Sequence, residues 1–92
     1  MANYLINGTI TCAPEELDMF LEAVTEHISL TRAEPGNISF DIKQSIPGSC
    51  KFLVSEQFND QVAFEVHTVR TRASPWWNKT KHIPRMLTYS GD

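Results

Sequence analysis

Apolar and polar positions alternate along the chain in two distinct periods. Asn3 to Thr11 carries Tyr4, Leu5, Ile6, Thr9 and Ile10, residues of high strand propensity. Ala13-Pro14-Glu15-Glu16 then opens a helix, because proline fits the first turn and carboxylates suit the positive end of the helix dipole. Leu17, Phe20, Leu21, Val24 and Ile28 follow at offsets of 3, 4, 7 and 11, a single helical stripe. Pro35-Gly36-Asn37 ends that helix and turns the chain. Ile38, Phe40 and Ile42 alternate with Ser39, Asp41 and Lys43, which predicts a strand with one buried face.

Pro47-Gly48-Ser49 is a turn, and Phe52, Val54 and Phe58 beyond it alternate with Lys51, Ser55 and Gln57 as the hairpin partner. Asn59-Asp60 caps a second helix, whose inner side is predicted to use Val62, Ala63, Phe64, Val66, His67 and Val69. Pro75 interrupts it, Trp76 and Trp77 head a short irregular or helical piece, and Met86 to Tyr89 forms a last strand. The order β-α-β-β-α-β predicts an α+β, ferredoxin-like four-stranded antiparallel sheet with both helices on one face. The other face stays bare, which predicts a homodimer.

Ninety-two residues make one domain, residues 1-92, without an internal repeat or linker. Apolar residues make up 41% and charged residues 21%, which excludes a disordered chain. No apolar run reaches the ~18–20 residues of a membrane span, and the start has no secretion-signal pattern. No membrane partner and a cytoplasmic location are therefore expected. Residues 1–65 hold ten acids against three bases, whereas residues 66–91 hold five bases and no acid. That basic last third either attracts an anionic ligand or balances the acidic first helix. A pI near 5.5 argues against nucleic acid as the partner. The two cysteines are too few for a disulfide scaffold; Cys12 and Cys50, at neighbouring strand ends, are expected to lie close together as reduced thiols, a disulfide needing a suitable Cα separation and an oxidising compartment. The histidines at 27, 67 and 82 show no metal-ligand spacing, so no metal is expected, and no glycine-rich loop suggests a flavin or nicotinamide. His27 and His82 are expected at the surface.

Glu34-Pro35-Gly36-Asn37-Ile38-Ser39-Phe40, then Phe52-Leu53-Val54-Ser55-Glu56-Gln57-Phe58, then Ala63-Phe64-Glu65-Val66-His67 resemble the antibiotic biosynthesis monooxygenase domain over nearly the whole chain. The resemblance implies a dimeric α+β barrel with a pocket between sheet and helices. It also implies a cofactor-independent monooxygenase that oxidises a small, electron-rich aromatic substrate of quinol or polyketide type with O₂. A non-catalytic dimeric small-molecule binding or stress-response protein is the alternative, and a haem-degrading monooxygenase a further one. In the haem-degrading relatives, however, the histidine and tryptophan positions are interchanged relative to His67 and Trp76–Trp77.

Within that frame the candidate site residues follow. His67, on the same helix face as Phe64, reads as a general base on a phenol or as a histidine that fixes the helix to the sheet. Glu56 shares strand parity with Phe52, Val54 and Phe58, and would orient His67 or bind at the edge of the core. Asn7 interrupts an apolar strand where the haem-degrading relatives carry an asparagine; it would donate to a carbonyl or oxyanion, or sit exposed at an edge. One of Trp76 and Trp77 is expected to line the pocket and stack on the substrate. Arg72 would steady an anionic group or lie on a solvated helix face.

Overall fold

The computed structural model describes residues 3–91. Strand β1 (Tyr4–Thr11) leads through a single 3-10 turn (Pro14–Glu16) into α1 (Leu17–Arg32). Strands β2 (Asn37–Gln44) and β3 (Lys51–Phe58) form the hairpin, and α2 (Gln61–Arg72), α3 (Pro75–Thr80) and β4 (Arg85–Ser90) complete the chain. The sheet order is β2-β3-β1-β4 with every neighbouring pair antiparallel, the ferredoxin-like arrangement.

Local chemistry accounts for the element ends. The Glu16 carboxylate accepts from the Ala13 N–H at 3.0 Å and closes the 3-10 turn. The Asp60 side chain accepts from the Ala63 N–H at 2.8 Å and caps α2. Gly48 takes a φ of 82° in the hairpin turn, a conformation other residues rarely adopt. Cys12 lies opposite Cys50, with its N–H donating to the Cys50 carbonyl at 3.0 Å, and both are free thiols.

The core lies between the sheet and the helices, filled by Ile6, Ile10, Phe20, Val24, Phe40, Ile42, Phe52, Val54 and Phe58. Two helix faces differ from the expectation. In α1 the buried line runs through Phe20, Ala23, Val24, His27 and Thr31, while Leu21 lies at the surface. The period is as predicted, but polar residues continue the stripe. In α2 only His67 is fully buried; Val62, Val66 and Val69 are 66%, 62% and 73% exposed. The reason is a competing stripe. Phe64 packs on Tyr4 and Phe58, His67 pairs with Glu34, and the helix approaches so closely at Ala63 that a Cβ on Gly36 would stand 2.4 Å from the Ala63 Cβ. These contacts set the rotation of α2 and turn the valines outward.

Asn7 is the other correction. Ile6 and Ile10 face the core, so period two sends Asn7 to the opposite, uncovered face, beside Ser55 and Thr88 in the register. Leu5, Leu53 and Met86 are exposed on that same face. Among the described residues, no helix is long and apolar enough to cross a membrane.

Gly8 lies between β3 and β4, where a Cβ would stand 1.9 Å from the Met86 carbonyl oxygen and 2.9 Å from the Leu87 Cα. Backbone cannot yield there without parting β1 from β4. Gly8→Ala should therefore lower stability by about 3 kcal/mol or more, read from urea unfolding; a loss below about 1 kcal/mol would mean β4 pairs more loosely than described.

Candidate functional site

A cavity of about 160 Å³ opens between the core face of the sheet and the three helices. Its inner wall is apolar, made by Ile6 and Ile10 of β1, Ile42 of β2 and Val54 of β3. The polar groups come from elsewhere: Glu56 from β3, His27 from α1, His67, Thr68, Thr71 and Arg72 from α2, and Arg85 and Tyr89 from β4. Phe64, Leu87, Trp76 and Trp77 complete the lining. Of the residues singled out in the sequence, His67, Glu56, Phe64, Trp76, Trp77 and Arg72 converge on this space, and Asn7 does not.

His67 is held from both sides. Its Nδ1 lies 3.0 Å and 3.3 Å from the two carboxylate oxygens of Glu34, and its Nε2 lies 3.3 Å from the Thr71 hydroxyl. A carboxylate only accepts, so Nδ1 carries the hydrogen and Nε2 presents its lone pair to the Thr71 O–H. Arg70 donates through Nε to the same carboxylate and through Nη2 to the Thr31 hydroxyl at 2.9 Å. Glu34 thus does what was expected of Glu56: it orients the imidazole. Burial pushes the His67 pKa down; Glu34 opposes that shift and Arg70 adds to it. The ring is a neutral base at pH 7.

The Glu56 carboxyl makes no hydrogen bond or ion pair among the described residues and faces the cavity instead. Burial, reinforced by the charge of Glu34, pushes its carboxyl up to about 8, so it is a neutral acid at pH 7. His27 corrects the surface assignment. It is 4% exposed, stacks face to face on Trp76 with ring centroids 4.5 Å apart, and its Nδ1 has no partner among the described residues. Burial first, then the charges of His67, Arg70 and Arg85, bring its pKa down to about 3. The signal was present in the sequence: His27 follows Phe20 by seven positions and Val24 by three, on the buried stripe. His82 is exposed and pairs with Glu16, as a surface histidine should.

Both tryptophans line the cavity, where one was expected. Trp76 is buried against Phe20 and His27. Trp77 is half-buried, with the Arg72 and Arg85 guanidinium carbons 5.8 Å and 5.4 Å from its ring centroid. Phe64 stacks on Tyr4 at 5.0 Å and meets Tyr89 edge-on at 5.6 Å. The residues that sequence reasoning missed are Glu34, His27, Thr71, Arg85 and Tyr89. Only Tyr89 and His27 carried a local signal, the first by strand parity with Leu87 and the second by helical spacing. Among the described residues, no three His, Cys, Asp or Glu side chains cluster as a metal site.

The family model for antibiotic biosynthesis monooxygenases matches residues 3–83. A protein of Nitrosomonas europaea, named as a candidate antibiotic biosynthesis monooxygenase, superposes with a TM-score of 0.81 at 21% identity, over 98% of this chain and 89% of its own. Rv0793 from Mycobacterium tuberculosis gives 0.73 at 21% identity, over 98% and 93%. PA3566 from Pseudomonas aeruginosa gives 0.74 at 20% identity, over 100% and 93%. At these identities the likeness is one of fold. Among curated proteins, none matches the chain.

The shifted groups make stability depend on pH. Glu56 is raised from 4.5 to about 8, so across that window the folded chain keeps a proton the unfolded chain has lost, and stability falls as pH rises. His27 is lowered from 6.5 to about 3, so its contribution is lost as pH falls through that range, and His67 acts in the same direction. The slopes oppose each other between pH 4.5 and 6.5, and Glu56 dominates above. Urea unfolding should show a loss of about 2 kcal/mol between pH 6.5 and 8. Glu56→Gln should abolish that loss; an unchanged slope would mean the carboxyl titrates normally.

Proposed function

The chain belongs to the antibiotic biosynthesis monooxygenase family, and on that premise we propose that it oxidises a one-ring, electron-rich aromatic of the quinol type with O₂, without a bound redox cofactor. The observation that carries this reading is His67, oriented by Glu34 and presenting its Nε2 lone pair beside Thr71 on the wall of the cavity. Size supports one ring: a cavity of roughly 150 Å³ accommodates benzene, and this one measures about 160 Å³. A fused polyketide or a porphyrin is larger than that space, which weighs against the haem-degrading alternative. A binding protein without catalysis would need no oriented base, and the cavity brings Glu56, His67, Thr71 and Tyr89 together.

In this mechanism His67 removes a phenolic proton. The phenolate gives one electron to O₂, and the two radicals join at a ring carbon as a peroxide. Glu56, neutral at pH 7, protonates the peroxide and then takes the ring proton as the O–O bond breaks. The departing hydroxide takes from His67 the proton removed at the start. A quinol and one O₂ become a hydroxyquinone and one water, and both residues return to their first state. The apolar inner wall keeps bulk water from the phenolate and the peroxide. Glu34 is a positioning residue, acting only through the imidazole.

The reading includes a homodimer through the open sheet face, where Leu5, Leu53 and Met86 are exposed. Asn7 then belongs to the subunit contact and has no part in catalysis.

His67→Gln should lower the rate of O₂ uptake on hydroquinone by about 10²-fold or more while the variant still folds. Glu34→Gln should lower it less and move the pH–rate profile, because the base loses its fixed tautomer. Turnover unaffected by His67→Gln, or product lacking an oxygen atom from labelled O₂, would end the monooxygenase reading.

A further inference from the structure

Two guanidinium groups lining the cavity have no anionic partner among the described residues. Arg72, an exposed residue, and Arg85, half-buried, both line the cavity and both lie over Trp77. Neither forms an ion pair among the described residues, although Arg32 and Arg70 each do. Arg85 is held in place: its Nε donates to the Ile83 carbonyl at 3.3 Å and its Nη2 to the Thr80 carbonyl, leaving Nη1 free. The Arg72 side chain makes no hydrogen bond with the described residues, so its whole fork is available to a ligand.

The surroundings do not cancel these charges. Glu34 is engaged by His67 and Arg70. Glu56, the carboxyl on the cavity wall, is kept in its neutral form by burial at pH 7. His27 and His67 are neutral there too, and Tyr89 is a phenol whose pKa burial pushes up further. In a chain of net charge −3, the cavity is therefore a local site of positive charge. One fixed fork and one free fork over an indole suit a planar anion attached to a flat ring.

We propose that Arg72 and Arg85 form a subsite for a carboxylate carried on the aromatic ring, so that the substrate is a one-ring hydroxyaromatic acid. The carboxylate lies between the two guanidinium groups beside Trp77, and the hydroxylated part of the ring points inward to His67 and Glu56. This rests on the cavity being the place where the substrate ring is held, as in the oxidation described above.

The test is calorimetric titration of the full chain, without O₂, by 2,5-dihydroxybenzoate and by its neutral analogue 2,5-dihydroxybenzamide. The acid should bind about tenfold tighter than the amide, and added salt should weaken the acid alone. Arg72→Gln should bring the two affinities within about twofold of each other, and Arg72→Lys should restore part of the difference. The Arg72 side chain makes no hydrogen bond among the described residues, so circular dichroism of its variants should match that of the unsubstituted chain. Equal affinities, a preference that survives both Arg72→Gln and Arg85→Gln, or no binding of the acid at millimolar concentration would overturn the subsite. O₂ uptake on plain hydroquinone is the separate measure of the monooxygenase reading. Oxidation without acid preference defeats only the subsite, and acid binding without oxidation of either quinol defeats only the chemistry.

Discussion

The Glu34 carboxylate, just beyond the end of α1, is the anchor on which the arrangement of α2 depends. It accepts from His67 and Arg70, both on α2, and Arg70 reaches on to Thr31 of α1. The Glu34 side chain is 13% exposed and that of His67 only 6%. A carboxylate drawn this far from water needs charged or strongly donating partners, and removing one leaves a buried charge uncompensated. That requirement selects the face of α2 that meets the sheet. Phe64, His67, Thr68 and Thr71 face inward, and three valines with a better claim by hydrophobicity alone stay in solvent.

The same pairing determines the protonation state of the cavity. With Nδ1 committed to Glu34, the imidazole has one lone pair left, at the edge where Thr71 lines the cavity. Burial then works on both histidines and on Glu56 in the direction that removes charge. It lowers His27 and His67 and raises Glu56, so a neutral base and a neutral acid share one small space at pH 7. Two carboxyls, Glu34 and Glu56, differ in role because one has donors and the other has none among the described residues. The two guanidinium groups at Trp77 supply the field that an anionic ligand would meet.

Much of the fold was legible from local patterns. Ile38, Phe40 and Ile42 alternate, Phe20 and Val24 repeat at helical spacing, and Asp60 caps α2 as its position before Gln61 implies. Strand parity also placed Glu56 correctly on the core face. The same parity rule, applied from Ile6, places Asn7 on the open face, but a polar residue within an apolar run suggests a pocket as readily as an edge. The site was legible as a set of residue types and less so as a set of contacts. His67 was recognisable, whereas its partner Glu34 lies 33 positions earlier in a turn, where a glutamate reads as solvated. Arg85 is the first residue of the last strand, and nothing near it in the chain announces Trp77 as its neighbour.

By itself the sequence determined the strand and helix periods, the turns and caps, and through them the β-α-β-β-α-β order, because side-chain directions repeat every two residues in a strand and every 3.6 in a helix whatever lies nearby. Only the tertiary structure decided which stripe of α2 turned inward, which carboxylate met the imidazole, and that both tryptophans reached the cavity. Those outcomes depend on how separately formed elements dock. Local periodicity describes the faces an element offers; burial and pairing between residues distant in the chain choose among them.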